Sequence, residues 1–139
     1  WMKTQEKKEE HYKGTLKNYK RGIHLNKIIL QVESLVVLLV CLYFYSFLDF
    51  NWVLFFVLLL APDVFMVGYL INKKAGALLY NVVHTYSLSI IITILGVILS
   101  NPVILSIGLI WTAHIGMDRC FGIGLKYQTG FKDTHFNRV

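Results

Sequence analysis

From Ala75 to Met117 the chain runs for 43 residues without one Asp, Glu, Lys or Arg. An element at a protein surface keeps a polar side toward water, so a stretch this long without charge must be surrounded by apolar material. A chain of 139 residues is one domain's worth of protein and cannot wrap such a stretch by itself. Charged residues make up only 16 % of the whole, against roughly 25 % in an ordinary soluble domain. A soluble globule is therefore excluded. Disorder is excluded as well, because 55 % apolar residues would not stay solvated.

A bilayer core of roughly 30 Å takes about 20 apolar residues in helical form at about 1.5 Å per residue. Four segments have that length: Ile28 to Phe47, Trp52 to Ile71, Ala75 to Leu99 and Val103 to Phe121. Turn chemistry at Asp49/Asn51, Asn72-Lys73-Lys74 and Asn101-Pro102 separates them. Backbone groups in lipid must be satisfied within the segment, so the spans are helices. The expected fold is all-α: a polytopic membrane protein with four transmembrane helices in a compact bundle. A basic arm over residues 1–22 precedes a four-helix domain over 23–121, followed by a cytoplasmic tail over 122–139 that could fold back under the bundle.

Lys and Arg near span ends are retained on the cytoplasmic side. Residues 1–27 carry eight basic groups, the second loop carries Lys73 and Lys74, and the last stretch carries Arg119, Lys126, Lys132 and Arg138. The first and third loops carry none. This pattern predicts a multi-pass protein of the inner (cytoplasmic) membrane with both termini cytoplasmic. The first apolar run has spanning length and reads as an uncleaved anchor rather than a signal peptide. The net charge of +6 is explained by topology and by membrane lipids as partners. No aromatic-interleaved basic patch points to nucleic acid. Cys41 and Cys120 lie at different depths by helical rise, which argues against a disulfide.

Polar residues inside spans are costly and normally face the bundle interior. Counted from the cytoplasmic ends at about 1.5 Å per residue, Glu33 lies about 9 Å deep, Asp63 about 13, Asn81 about 10, His84 about 15 and His114 about 8. All four spans thus contribute to one half of the bundle. Tyr80 and His84, Asn81 and His84, and His114 and Asp118 are spaced to share helix faces. Pro62 cannot donate to the Leu58 carbonyl, so the second span should bend beside Asp63. In the tail, Asp133 and His135 fall on one side of an extended stretch. Trp52, Tyr43 and Tyr45 are placed in an outer aromatic belt, and Gly68, Gly76, Gly96 and Gly108 at close helix approaches.

The motifs Ala61-Pro62-Asp63, Tyr80-Asn81-Val82-Val83-His84-Thr85-Tyr86, Ala113-His114-Ile115-Gly116-Met117-Asp118-Arg119 and Gly124-Leu125-Lys126-Tyr127, with Gly130-Phe131-Lys132-Asp133-Thr134-His135, carry a resemblance. From about Ile28 to Val139 the chain resembles family 4260 of the domains of unknown function, small membrane proteins found mainly in bacteria. The resemblance implies a compact helical membrane domain and draws attention to Asp63, His84, His114, Asp118, Asp133 and His135. It implies no activity.

The residues leave three functions open. The first is a metal-dependent hydrolase of a lipid or lipid-linked substrate, with His84, His114 and His135 holding a divalent ion such as zinc. Asp63 or Asp118 would complete the shell, and Glu33 or the remaining Asp would act as general base, with Asp133 a further acid in the tail. Tyr80, Asn81, Arg119 and Lys132 would hold the substrate, the two basic groups taking its phosphate or carboxylate. The second is a proton- or ion-coupled transporter, which four short helices could form only as a homo-oligomer. The third is a structural, lipid-binding or partner-regulating membrane protein. Neither Ser34 nor Ser87 sits in a nucleophile elbow, which disfavours a serine enzyme.

Overall fold

The structure is a computed structural model describing residues 2–130 and 132–138; Phe131 of the tail motif lies outside them. The chain is all-helical. In order come α1 (Met2–Phe47), α2 (Trp52–Leu58), a 3-10 helix (Ala61–Leu70), α3 (Lys73–Val83), α4 (Tyr86–Ile98), α5 (Pro102–Cys120) and a 3-10 turn (His135–Asn137). Taken together they contain four helical segments long and apolar enough to cross a membrane: Met2–Phe47, Trp52–Leu70, Lys73–Ile98 and Pro102–Cys120. The basic arm is not separated from the first span by a break, because α1 continues through both.

The loop residues become caps. Asn51 accepts hydrogen bonds from the Val53 and Leu54 N–H groups, Asn72 from Ala75, and Asn101 from Val103 and Ile104. Each supplies the acceptor that a helix start lacks, and Pro102 fits the first position of α5, where no N–H is needed.

Two spans are interrupted, at the residues that build the site. In the second, α2 ends before Pro62 and the chain goes on as a ten-residue 3-10 helix with Asp63 in its first turn. Runs of this kind seldom exceed a single turn, so the missing Pro62 donor alters the whole half-span. In the third, α3 stops at His84, and Thr85 is extended before α4 starts. The Trp111 indole N–H donates to the Val83 carbonyl at 2.8 Å, taking up an acceptor orphaned by that break.

α5 is the buried centre, packed antiparallel to both α1 and α4. Gly96 allows the α4–α5 crossing: a Cβ there would lie 2.4 Å from the Leu105 backbone nitrogen. At the end of the bundle away from the basic loops, Cys41, Tyr45, Phe55, Leu109, Ile110 and Ala113 form an apolar cluster. Tyr45 belongs to this cluster and not to an outer belt. It is fully buried, donates to the Asn51 carbonyl at 2.7 Å and meets Phe50, Trp52 and Phe55 edge-on. Both cysteines are free thiols.

At the basic end, Gly122 closes α5 at φ 78°, with its N–H on the Arg119 carbonyl and the Ile123 N–H on the Asp118 carbonyl. This left-handed cap turns the chain back across the bundle, a conformation glycine adopts without strain.

Candidate metal centre

Asp63 from the 3-10 helix, His84 from the end of α3, and His114 and Asp118 from α5 converge on one point, each offering one ligand atom within 4.8 Å of the others. His84 Nε2 is 3.2 Å from His114 Nε2, 3.4 Å from Asp63 Oδ1 and 3.7 Å from Asp118 Oδ2. His114 Nε2 is 3.6 Å from Asp63 Oδ1 and 3.5 Å from Asp118 Oδ2. His114 is completely buried and His84 nearly so, whereas the Asp63 side chain is 30 % exposed.

The surroundings orient these groups. The Tyr80 carbonyl, at the end of α3, faces His84 Nδ1 at 3.0 Å. A carbonyl only accepts, so Nδ1 carries the proton and the Nε2 lone pair points into the cluster. The Tyr80 ring stacks on His84 at 3.7 Å between centroids, and its hydroxyl donates to Asp118 Oδ2 at 3.3 Å. His114 and Asp118 meet because they are one helical turn apart on α5. His114 Nδ1 is buried and has no hydrogen-bond partner among the described residues.

A cavity of about 320 Å³ opens beside the cluster, lined by Asp63, Tyr80 and Asp118 from the bundle and by Lys126, Lys132 and Thr134 from the tail. Asn81 holds the tail there. Its Nδ2 donates to the Lys126 carbonyl at 2.8 Å, and its Oδ1 accepts from the Lys126 N–H at 2.7 Å. Lys126 is thereby buried, with its ammonium 4.3 Å from the Tyr80 ring centroid. Burial lowers the pKa of Lys126 from its usual value, opposed by the charges of Asp63 and Asp118.

The family model for a domain of unknown function, DUF4260, matches residues 27–139. The chain belongs to this family. No curated protein and no solved structure matches it. The membrane domain and tail of this DUF4260 chain fall inside the match, and most of the N-terminal arm falls outside it.

The structure separates the residues that shared a depth. Three of them, Asp63, His84 and His114, meet and are joined by Asp118 from the next turn of α5, with Tyr80 against them and Lys132 across the cavity. His135, expected as the third histidine ligand, is not in the group: its Nδ1 accepts from the Leu125 N–H at 2.9 Å, and the second carboxylate fills the place assigned to it. Asn81, expected to hold substrate, has its amide engaged by the Lys126 backbone. Asp133 is taken up by Arg138 and Thr129 in the tail. Glu33 and Arg119 line a different cavity, together with His135. Sequence reasoning missed Lys126 and Trp111. No local signal marks Lys126, because its burial follows from the Asn81 clamp; Trp111 could have been found as an indole one turn before His114.

Proposed function

We propose that this protein is a membrane-embedded metal-dependent hydrolase of an anionic lipid or lipid-linked substrate. The spacing of the His84, His114 and Asp118 ligand atoms carries the reading. Ligands about 2.0–2.1 Å from a tetrahedral ion lie about 3.3–3.4 Å apart, and the separations of 3.2, 3.5 and 3.7 Å among His84, His114 and Asp118 bracket that edge. Two imidazoles with one carboxylate and an open fourth position suit zinc or a similar divalent ion. In this reading His84, His114 and Asp118 are the ligands, the Tyr80 hydroxyl orienting Asp118. Asp63, the most open of the four, borders both the fourth position and the cavity. It serves as general base toward a water there, whose acidity the ion would raise. Lys126 and Lys132 receive the negative group of the substrate.

A second reading has an observation of its own. A metal-bound histidine normally donates its other ring N–H, and His114 Nδ1 has no acceptor among the described residues. This favours a His84–His114 pair sharing a proton, as in a proton-coupled transporter.

Elemental analysis of the detergent-purified protein, beside a folded variant carrying His84→Ala and His114→Ala, separates the two. Near-stoichiometric metal in the wild type, lost in the variant, supports the metal centre, and headgroup release from anionic phospholipid vesicles by the loaded protein then supports the hydrolase. A gently purified wild type without metal, unchanged in stability on adding zinc, overturns the metal reading. Full metal with no release from vesicles overturns the hydrolase.

A further inference from the structure

A second cavity of about 270 Å³ opens at the basic end between α1, the start of α4, the end of α5 and the tail, bordered by Leu30, Glu33, Val37, Tyr86, Arg119 and His135. It contains an acid and a base that do not pair with each other. Among the described residues neither Glu33 nor Arg119 takes part in an ion pair. The Arg119 guanidinium lies over the Tyr86 ring, 4.2 Å from its centroid, which fixes the plane of the fork without consuming its N–H donors.

More donors border the same space. The Tyr86 hydroxyl is buried on the side of the cavity that also carries Ser34. His135 accepts from the Leu125 N–H at Nδ1, and burial lowers its pKa from the usual value, with the Arg119 charge acting in the same direction. It is therefore neutral near pH 7 and keeps its proton on Nε2. Leu30 and Val37 lie two turns apart on α1, along the side that also carries Glu33, and give one wall an apolar surface running into the spanning segment.

We propose that this cavity binds the headgroup of an aminophospholipid, a phosphodiester joined to a primary ammonium. Arg119 takes the phosphate, Glu33 takes the ammonium, and Leu30 and Val37 support the first carbons of the acyl chains. The selectivity has a chemical cause. A primary ammonium has three N–H donors for the Glu33 carboxylate, whereas a quaternary choline has none. A glycerol headgroup offers no cation, so Glu33 is left uncompensated beside the phosphate. The site uses none of the four converging ligand residues and stands whether or not a metal binds.

The test equilibrates the delipidated full chain in detergent with equal amounts of dioleoyl phosphatidylethanolamine, phosphatidylcholine and phosphatidylglycerol, and reads retained lipid by native mass spectrometry. The wild type is expected to retain the ethanolamine lipid about fivefold or more over either competitor. Glu33→Gln is expected to erase that preference while lipid stays bound, and Arg119→Gln to lose all three. The variant carrying His84→Ala and His114→Ala is expected to keep the preference, which separates this site from the metal centre. Equal retention of the three lipids by wild type, or unchanged retention by Arg119→Gln with its fold verified by thermal melting, overturns the proposal. Displacement of the lipid by an equal concentration of soluble glycerophosphoethanolamine, which lacks only the acyl chains, would overturn the lipid as occupant; failure to displace it at that concentration supports the lipid.

Discussion

His84 Nε2 lies 3.2 Å from His114 Nε2, although the two residues are 30 positions apart and belong to different spans. The contact depends on the end of α3 at His84. A continuous helix through residues 84 and 85 would leave Val83 O bonded within the helix and unavailable to Trp111. The Trp111 bond secures the break from α5, the helix that also carries His114.

A bound ion stabilises the fold by mass action, by about 2.7 kcal/mol when present at a hundred times its dissociation constant. Chelation should therefore lower the melting temperature of the wild type and leave that of the His84→Ala, His114→Ala variant where it was. Differential scanning fluorimetry in detergent, with and without added zinc, checks both parts.

The two carboxylates should separate by role. Asp118→Asn removes a ligand and is expected to lose most of the metal, while Asp63→Asn is expected to retain metal and lose hydrolysis. Metal content and headgroup release, measured on the same preparations, decide this. Metal loss in Asp63→Asn with retention in Asp118→Asn would reverse the assignment.

Asn81 joins the tail to the bundle by two hydrogen bonds to the Lys126 backbone. At a net 0.5–1.5 kcal/mol each, Asn81→Leu should weaken docking by roughly 1–3 kcal/mol. Asn81→Asp keeps the acceptor and loses the donor, and should fall between. Hydrogen exchange over residues 122–130 reports the change, with faster exchange expected in the order wild type, Asp, Leu.

The docked tail should respond to mild acid. The pKa of His135 is lowered in the folded state, so the unfolded state binds the extra proton first as pH falls. Its contribution is fully present above about pH 6.5, the unfolded value, and is lost as pH drops through the lower folded value. The Asp133 pKa is lowered by its bonds to Arg138 and Thr129, so its contribution disappears only below the ordinary carboxylate range. Tail protection measured from pH 7.5 to 5 should fall in the wild type and stay flat in His135→Gln; a fall of equal size in the variant would assign the effect to another group.

Gly96→Ala should destabilise the bundle by a few kcal/mol, because the added Cβ meets the Leu105 backbone and neither helix can yield locally. Gly14→Ala is the control. Nothing lies within 4 Å of its Cβ position, and the better helix former should leave stability unchanged or raise it. Thermal melting of both variants provides the comparison.

Much of the architecture is legible in the residues. Lipid admits only backbone that satisfies itself, so charge-free runs of spanning length mark helices and the Asp, Asn and Pro residues between them mark the turns. The bend beside Asp63 follows from Pro62, which has no N–H to give. The break at His84 has no such local cause, since Val82, Val83, His84 and Thr85 can all continue a helix; it is held by Trp111 from another span. Tyr45 was misplaced for the same reason. An amphipathic ring near a span end suits an interface and a packed core equally, and Phe55 and the Asn51 carbonyl decided for the core.

The candidate site divides along the same line. Sequence yields one coordinate for each polar residue, its depth along the helix, and that was enough to collect Asp63, His84 and His114 with Glu33 and Asn81 in one half of the bundle, Asp118 being tied to His114 by one helical turn. Which of them touch depends on the rotation of each helix about its axis and on where a helix stops, and both are set by packing between spans. By itself the sequence determined the spans, the turns between them, the kinked second span and the depth of the polar groups, because these follow from backbone satisfaction and helical rise within single segments. Only the tertiary structure decided that Asp63 and not His135 joins the cluster, that Asn81 grips the tail, and that Glu33 and Arg119 face a cavity of their own. Each of those outcomes is a contact between segments far apart in the chain, and no local rule contains it.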